Sequence, residues 1–296
     1  MITVFQTSDT LRCMVLNAPG SANLAAPREL IVRCRLLRNS TFWAQSLVQN
    51  PKRVTVGDWK GIKLSSLASA RVRSGIRCWE IDRIHLQDLS QAFELLEQVV
   101  SSAGHQGAEK VFLRVLSNSK LVEHVKKIGF NPSFEEVHLA GVGVPLNPKI
   151  NGFSFEHRTQ ADLHGLFQLY SAVTPPEIRQ SIGMTFDQWK DAQEPAQAHR
   201  DESILKVDDK VVGWRTCDHF GKTTAWQTLG HPEHPDLTQH LIDISNQTHS
   251  WLIPDYQKHV AELLEQKGLQ EFGRYTMLIK NVSVPVRNRE FSYVEA

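Results

Sequence analysis

The 296-residue sequence has no long apolar run, no close pair of cysteines and no surplus of charge of either sign. Each absence excludes something. A membrane-spanning helix needs about 20 apolar residues in succession, and no stretch approaches that. Cys13, Cys34, Cys78 and Cys217 lie far apart, whereas zinc ribbons and thioredoxin-like motifs use closely spaced pairs. They read as four reduced, partly buried thiols. Lys and Arg number 33 against 32 Asp and Glu, so the basic stripe that meets nucleic acid is not expected. The opening, MITVFQTSDTLRCMVLNAPG, lacks the basic start and clean apolar centre of a secretory signal. The expectation is a cytoplasmic protein with neither nucleic acid nor membrane as partner.

What is present is ordinary globular material, 41% hydrophobic and 22% charged. At roughly 150 residues per domain, the length suits two domains. RELIVRCRLL (28–37) reads equally as strand or helix, and TFWAQSLVQN (41–50) as helix. From residue 52 the pattern sharpens. KRVTVGDWKG, GIKLSSLASARVR and IRCWEIDRIHL are β-rich, separated by turn residues. Strict alternation in the last puts Cys78, Glu80, Asp82 and Ile84 on one face, and Trp79, Ile81, Arg83 and His85 on the other. Leu89, Ala92, Phe93, Leu96, Val99 and Val100 recur at helical spacing behind a capping Asp88. A buried strand KVFLRVL (110–116), a helix SKLVEHVKKIGF (119–130) and a strand FEEVHLAGVGV (134–144) follow. PLNPKING (145–152) is the best linker. Beyond it the order recurs: a strand at 152–159, helices at 161–173, 175–183 and 184–193, and strands at 202–209, 210–221 and 222–231. A helix at 236–249, a strand at 250–256, a helix at 256–269 and a strand at 272–282 complete it.

In the first half the strand KVFLRVLS leads to Asn118, with Val125 seven residues on and Gly129-Phe130 closing the helix. In the second, Gln257, Leu264 and Gly268-Leu269 hold the same places. This spacing resembles the GNAT family, the GCN5-related N-acetyltransferases, over about 75–145 and 152–285. In that family the position of Val125 is often Tyr. The resemblance implies a layered α/β fold of two tandem GNAT-like domains, 1–147 and 148–296, each a mixed central sheet with helices on both faces. It implies acetyl-CoA as co-substrate, a small amine as acceptor and direct transfer between them. The family places the pyrophosphate on backbone N–H groups at a helix start, where donors and partial positive charge favour an anion. Its pattern there is Q/R-x-x-G-x-G/A. Gln87, Ser90 and Ala92 fill that pattern, with Ser for the first Gly. Leu86, Gln87, Asp88, Leu89, Ser90, Gln91 and Ala92, together with Asn118, are therefore the expected cofactor contacts. The second-half loop HPEHPDLTQHL (231–241) has no Gly and carries Glu233 and Asp236. That half is expected to serve as a partner domain or lid.

Val125 and Leu264 cannot donate a proton. Catalysis then falls to Glu80, on a strand beside the cleft, and next to His85, because an unperturbed imidazole changes charge near working pH. Tyr170, Pro175, Arg179 and Trp189 could line an acceptor groove. His231, His234 and His240 sit on a poor scaffold for a metal, and no metal is expected. Two readings stay open: an acetyl-CoA-dependent N-acetyltransferase, and a non-catalytic GNAT-fold binding or regulatory protein. A homodimer is left open as well.

Overall fold

The computed structural model describes residues 2–5, 9, 22–33, 52–61, 63–143, 155–195, 199–220, 223–242 and 248–282. The helix expected at 41–50, the linker at 145–152, Cys13 and Cys34 lie outside them. The first half contains β1 (Ile2–Val4), α1 (Arg28–Arg33), β2 (Arg53–Lys60), β3 (Lys63–Val72) and β4 (Cys78–His85). It continues with α2 (Ala92–His105), β5 (Lys110–Leu116), α3 (Leu121–Lys127) and β6 (Asn131–Val142). The second contains β7 (Phe155–His157), α4 (Leu163–Val173), α5 (Pro176–Ile182), α6 (Phe186–Ala192), β8 (Arg200–Val207) and β9 (Lys210–Phe220). It ends with β10 (Thr223–Gly230), α7 (Pro235–Leu241), β11 (Thr248–Pro254), α8 (Lys258–Gln266) and β12 (Gln270–Asn281). The ambiguous 28–37 segment thus opens as helix. The helix expected over 236–249 ends at Leu241, and Thr248 and His249 already belong to β11.

The twelve strands of the described residues form one mixed sheet, in the order β1-β2-β3-β4-β5-β12-β6-β11-β10-β9-β8-β7. The two halves do not close on their own last strands. β12 lies against β5 of the first half, and β6 lies against β11 of the second. The exchanged strands meet as an antiparallel pair running from Gln270↔Ala140 to Ile279↔Asn131. Sequence supports this central place: Met277, Leu278 and Ile279 are consecutive and all buried, as a strand covered on both faces requires.

Helices cover both faces. In β5, Val111, Leu113 and Val115 point into a core shared with Leu95, Leu96 and Val99 of α2 and Leu121 and Val125 of α3. Phe112 and Arg114 point the other way, toward elements of the second half. A separate core joins Trp251, Ile253 and Leu139 to α8, and another joins Leu166, Leu169 and Tyr170 of α4 to Ile204 and Val211. Gly213 and Gly230, opposite each other across β9 and β10, let α7 come close. A Cβ on either would approach Leu241 or Thr238 to within 2.9 or 2.8 Å. Among the described residues, no helix is long and apolar enough to cross a membrane.

Candidate functional site

Each half contains one parallel strand pair that parts along its length. β4 and β5 pair only from Cys78↔Lys110 to Ile81↔Leu113, and β10 and β11 only from Thr223↔Thr248 to Trp226↔Trp251. Beyond those points the strands splay, leaving inner backbone donors and acceptors for another partner.

In the first half the parting coincides with a β-bulge. Ser69 faces Arg83 while Ala70 faces Ile81, so Asp82 is the extra residue. The bulge corrects the strict alternation read from the sequence: Ile84 joins Trp79 and Ile81 in the α2 core instead of facing with Cys78. Arg53 clamps the bulged Asp82 carboxylate at 2.8 and 3.1 Å. Burial raises the Asp82 pKa, but Arg53 and Arg71 outweigh it and hold the carboxyl below its usual range.

This first splay is filled by the chain itself. Leu24 N–H donates to Ile84 O at 2.8 Å, and Ala26 N–H donates to Arg114 O at 2.8 Å. The Asn23 side chain donates to Asp82 O at 3.0 Å and accepts from Ile84 N–H at 2.8 Å. One segment therefore bridges β4 and β5, with Ala25 buried at 1% exposure.

The expected cofactor residues lie at the outer end of that filled splay. Leu86 and Ala92 are buried, Leu89 and Gln91 half-buried, and Gln87, Asp88 and Ser90 exposed. Gln91 accepts from Ser66 Oγ at 2.5 Å and donates to Asp58 at 3.2 Å, while Gln87 accepts from Ser65 Oγ at 3.0 Å. The two glutamines thus tie the α2 start to β2 and β3. Asp88 caps the turn, its carboxylate accepting the Ser90 N–H at 2.9 Å. Asn118 is exposed in the turn before α3.

Glu80 is buried and accepts from Arg71 at 3.1 Å, while Arg71 also meets Glu29 at 2.7 Å. Its nearest space is a crevice of about 10 Å³. Burial pushes the Glu80 carboxyl upward, with Arg71 and Arg73 opposing. His85 is half-buried opposite Leu67. Neither residue lines the large cavity of the molecule.

That cavity, about 310 Å³, is continuous with the second splay. Gln227, Thr228 and Leu229 of β10 and Leu252, Ile253 and Pro254 of β11 form its walls. Among the described residues, no backbone segment is hydrogen-bonded into this gap as Leu24 and Ala26 are into the other. Among the described residues, the hydroxyl of the buried Thr228 has no hydrogen-bond partner. Tyr256 and Gln257 close the splay where β11 turns toward α8. Tyr256 packs edge-on against Phe134 of β6 at 5.9 Å. Burial raises its pKa, so the phenol keeps its proton at neutral pH. Glu202 also lines the cavity, held by Arg158 Nε at 2.6 Å and Trp214 Nε1 at 2.7 Å.

The cavity ends on a buried charge network that joins the halves. Arg114 donates to Glu136 at 2.6 and 3.3 Å and to Glu194 at 2.5 Å. Arg73 lies 3.5 Å from Glu194, and Arg28 lies 3.9 Å from Glu194 and 4.0 Å from Asp218. Arg200 grips Asp218 at 2.7 and 2.9 Å. Burial alone would lower the Arg114 pKa, but Glu136 and Glu194 outweigh it and the guanidinium stays charged. Burial likewise raises Glu194, and Arg114, Arg73 and Arg28 outweigh that, holding it ionised.

Of the residues considered for an acceptor groove, Trp189 lines the cavity. Tyr170 packs in the aromatic cluster with Phe167 and Trp189. Tyr256, Glu202, Arg114 and Glu194 escape sequence reasoning. Arg114 interrupts an apolar strand, the one local signal available. The His231 and His234 rings lie 5.8 Å apart, tilted by 56°, and no group of three His, Cys, Asp or Glu among the described residues is placed to hold a metal.

The splayed parallel pairs, the mixed sheet and the repeated order of elements define a tandem GCN5-related N-acetyltransferase fold. The chain is similar to a GCN5-related N-acetyltransferase from Sphaerobacter thermophilus over 95% of both chains, with a TM-score of 0.54 and 12% identity. It is similar to a Drosophila protein solved by structural genomics over 95% of this chain and 98% of that one (TM-score 0.52, 12% identity). A tandem GNAT protein from the clavulanic acid biosynthesis pathway aligns over 95% of this chain and 98% of its own (TM-score 0.50, 10% identity). At such identities the likeness is one of fold. No family model and no curated protein matches the chain.

Proposed function

We propose that the protein is an acetyl-CoA-dependent N-acetyltransferase of a small amine, working in the splay of its second half. One observation carries this reading: the β4–β5 splay is filled by residues 23–26, while the β10–β11 splay opens into a cavity of about 310 Å³. The amides of an extended acyl-CoA arm would pair with the inner edges of β10 and β11, bringing the thioester toward Tyr256 and the mixed aromatic wall. The amine nitrogen attacks the thioester carbonyl and the carbon–sulfur bond breaks. Tyr256 gives its proton to the leaving thiolate, and Glu202 takes the proton released by the amine. The acceptor would lie in the cavity between the halves, against Trp189, Phe134 and the Arg114 network.

A second reading, a non-catalytic GNAT-fold binding or regulatory protein that has lost turnover, is favoured by the loop before α7. Glu233 and Asp236 put negative charge there, and Pro235 removes an N–H that a phosphate would use.

Thermal unfolding with and without millimolar acetyl-CoA separates these readings from a protein with no such ligand. At about 100 times its dissociation constant, a ligand stabilises by about 2.7 kcal/mol, a shift of a few degrees. Thr228→Phe should abolish the shift by filling the splay, and Gln87→Ala should leave it intact. Tyr256→Phe should retain the shift and lower kcat by about 100-fold in an amine screen. A shift lost in Gln87→Ala but kept in Thr228→Phe would put the cofactor in the first half and sink this assignment. A shift without turnover toward any amine would favour the second reading.

A further inference from the structure

We propose that residues Asn23 to Ala26 act as an internal ligand: they occupy the first splay in place of a cofactor, so the first half binds no acyl-CoA while they are seated. This rests on reading the second splay as the acyl-CoA site. Two parting strands need an extended, amide-bearing partner, because each inner edge presents donors and acceptors that burial leaves costly if unmet. Here the chain provides such a partner. The primary amide of Asn23 donates to Asp82 O and accepts from Ile84 N–H, the two-way contact an amide makes at a strand edge. Leu24 N–H meets Ile84 O on β4, and Ala26 N–H then crosses to Arg114 O on β5.

The side chains suit a narrow gap. Ala25 and Ala26 add only a methyl group each, and Ala25 is 1% exposed. Pro27 follows without an N–H to leave orphaned, and α1 begins at the next residue. Arg28 then donates to Trp226 O at 3.1 Å, at the apex of the second splay. The seated segment is thus pinned to both halves. The anion end is treated likewise. The Ser90 N–H, a donor that would face a phosphate, is taken by the Asp88 carboxylate. The chain supplies its own amide to the strands and its own anion to the helix start.

The test is the stoichiometry of CoA binding by titration calorimetry, with hydrogen exchange at Leu24 and Ala26 reporting the segment directly. Wild-type protein should bind one CoA per chain and keep both amides protected when CoA is added. Asn23→Ala removes the contacts to Asp82, Ile84 and Ala25. It should raise exchange at Leu24 and Ala26 by about tenfold or more and allow a second CoA to bind. If that variant fails to unfold cooperatively, Ala26→Pro removes the Arg114 contact and serves in its place, with exchange read at Leu24. No binding by wild type and one CoA on the variant would uphold the internal ligand while refuting the second-half site. One CoA on both, with the segment released in the variant, would overturn the internal ligand and leave the second-half site standing. CoA stripping protection from Leu24 and Ala26 in wild type would overturn it too, as would no binding by either protein.

Discussion

His138 shows how burial, helped by a nearby charge, sets a residue's chemistry. It sits on β6 at 3% exposure, with Nε2 2.8 Å from Ser250 Oγ. Burial first, and Arg28 second, lower its pKa from 6.5 to about 4. In the folded protein it stays neutral, whereas the unfolded chain takes up a proton below about 6.5. The unfolded state therefore binds more protons between pH 6.5 and 4, and stability falls as pH falls through that window. The full loss is on the order of 3 kcal/mol. His138→Gln should flatten this part of the pH–stability curve in urea titrations; an unchanged slope would reject the assignment. Glu194 makes the opposite case. It neutralises Arg114 and stands near Arg73 and Arg28. Glu194→Gln leaves buried guanidinium charge uncompensated and should cost about 3–5 kcal/mol. A midpoint unchanged in denaturant would show that the network relaxes toward water.

At the scale of elements, two helices end alike. Gly129 after α3 and Gly268 after α8 have φ of 89° and 92°. These are the glycines that close both helices in the sequence, and they provide a left-handed stop that an L side chain resists. A Cβ at Gly268 would meet nothing within 4 Å, so Gly268→Ala tests backbone strain alone and should cost about 1 kcal/mol. Gly268→Asn should cost less, and equal costs would point to packing instead. The order of strands and helices was legible because apolar period and glycine stops are local signals. The bulge at Asp82 was not. It depends on register against β3 and on the reach of Arg53, residues far apart in sequence.

For the whole molecule, the exchange of last strands decides how the halves cohere. β12 completes the first half and β6 the second, so neither half keeps its closing strand when separated. We expect residues 1–147 alone to expose the edge of β5 and to aggregate or fail to fold. Co-produced with residues 148–296, they should give a one-to-one complex. A monomeric, cooperatively unfolding 1–147 fragment would show that β6 can return to its own half. The same exchange puts Arg114, Glu136 and Phe134 beside the second splay, and makes the cavity a property of both halves.

By itself the sequence determined the local elements and their repetition at the GNAT spacing. Those follow from period, caps and turn residues acting over a few positions. Tertiary structure decided which splay is open. A strand edge can be filled by any segment with amides in the right place, and nothing in Asn23-Leu24-Ala25-Ala26 marks it for β4 and β5 until those strands have parted. It also brought Tyr256, Glu202 and the arginine network to the lining of one cavity, through strand order and not through spacing along the chain.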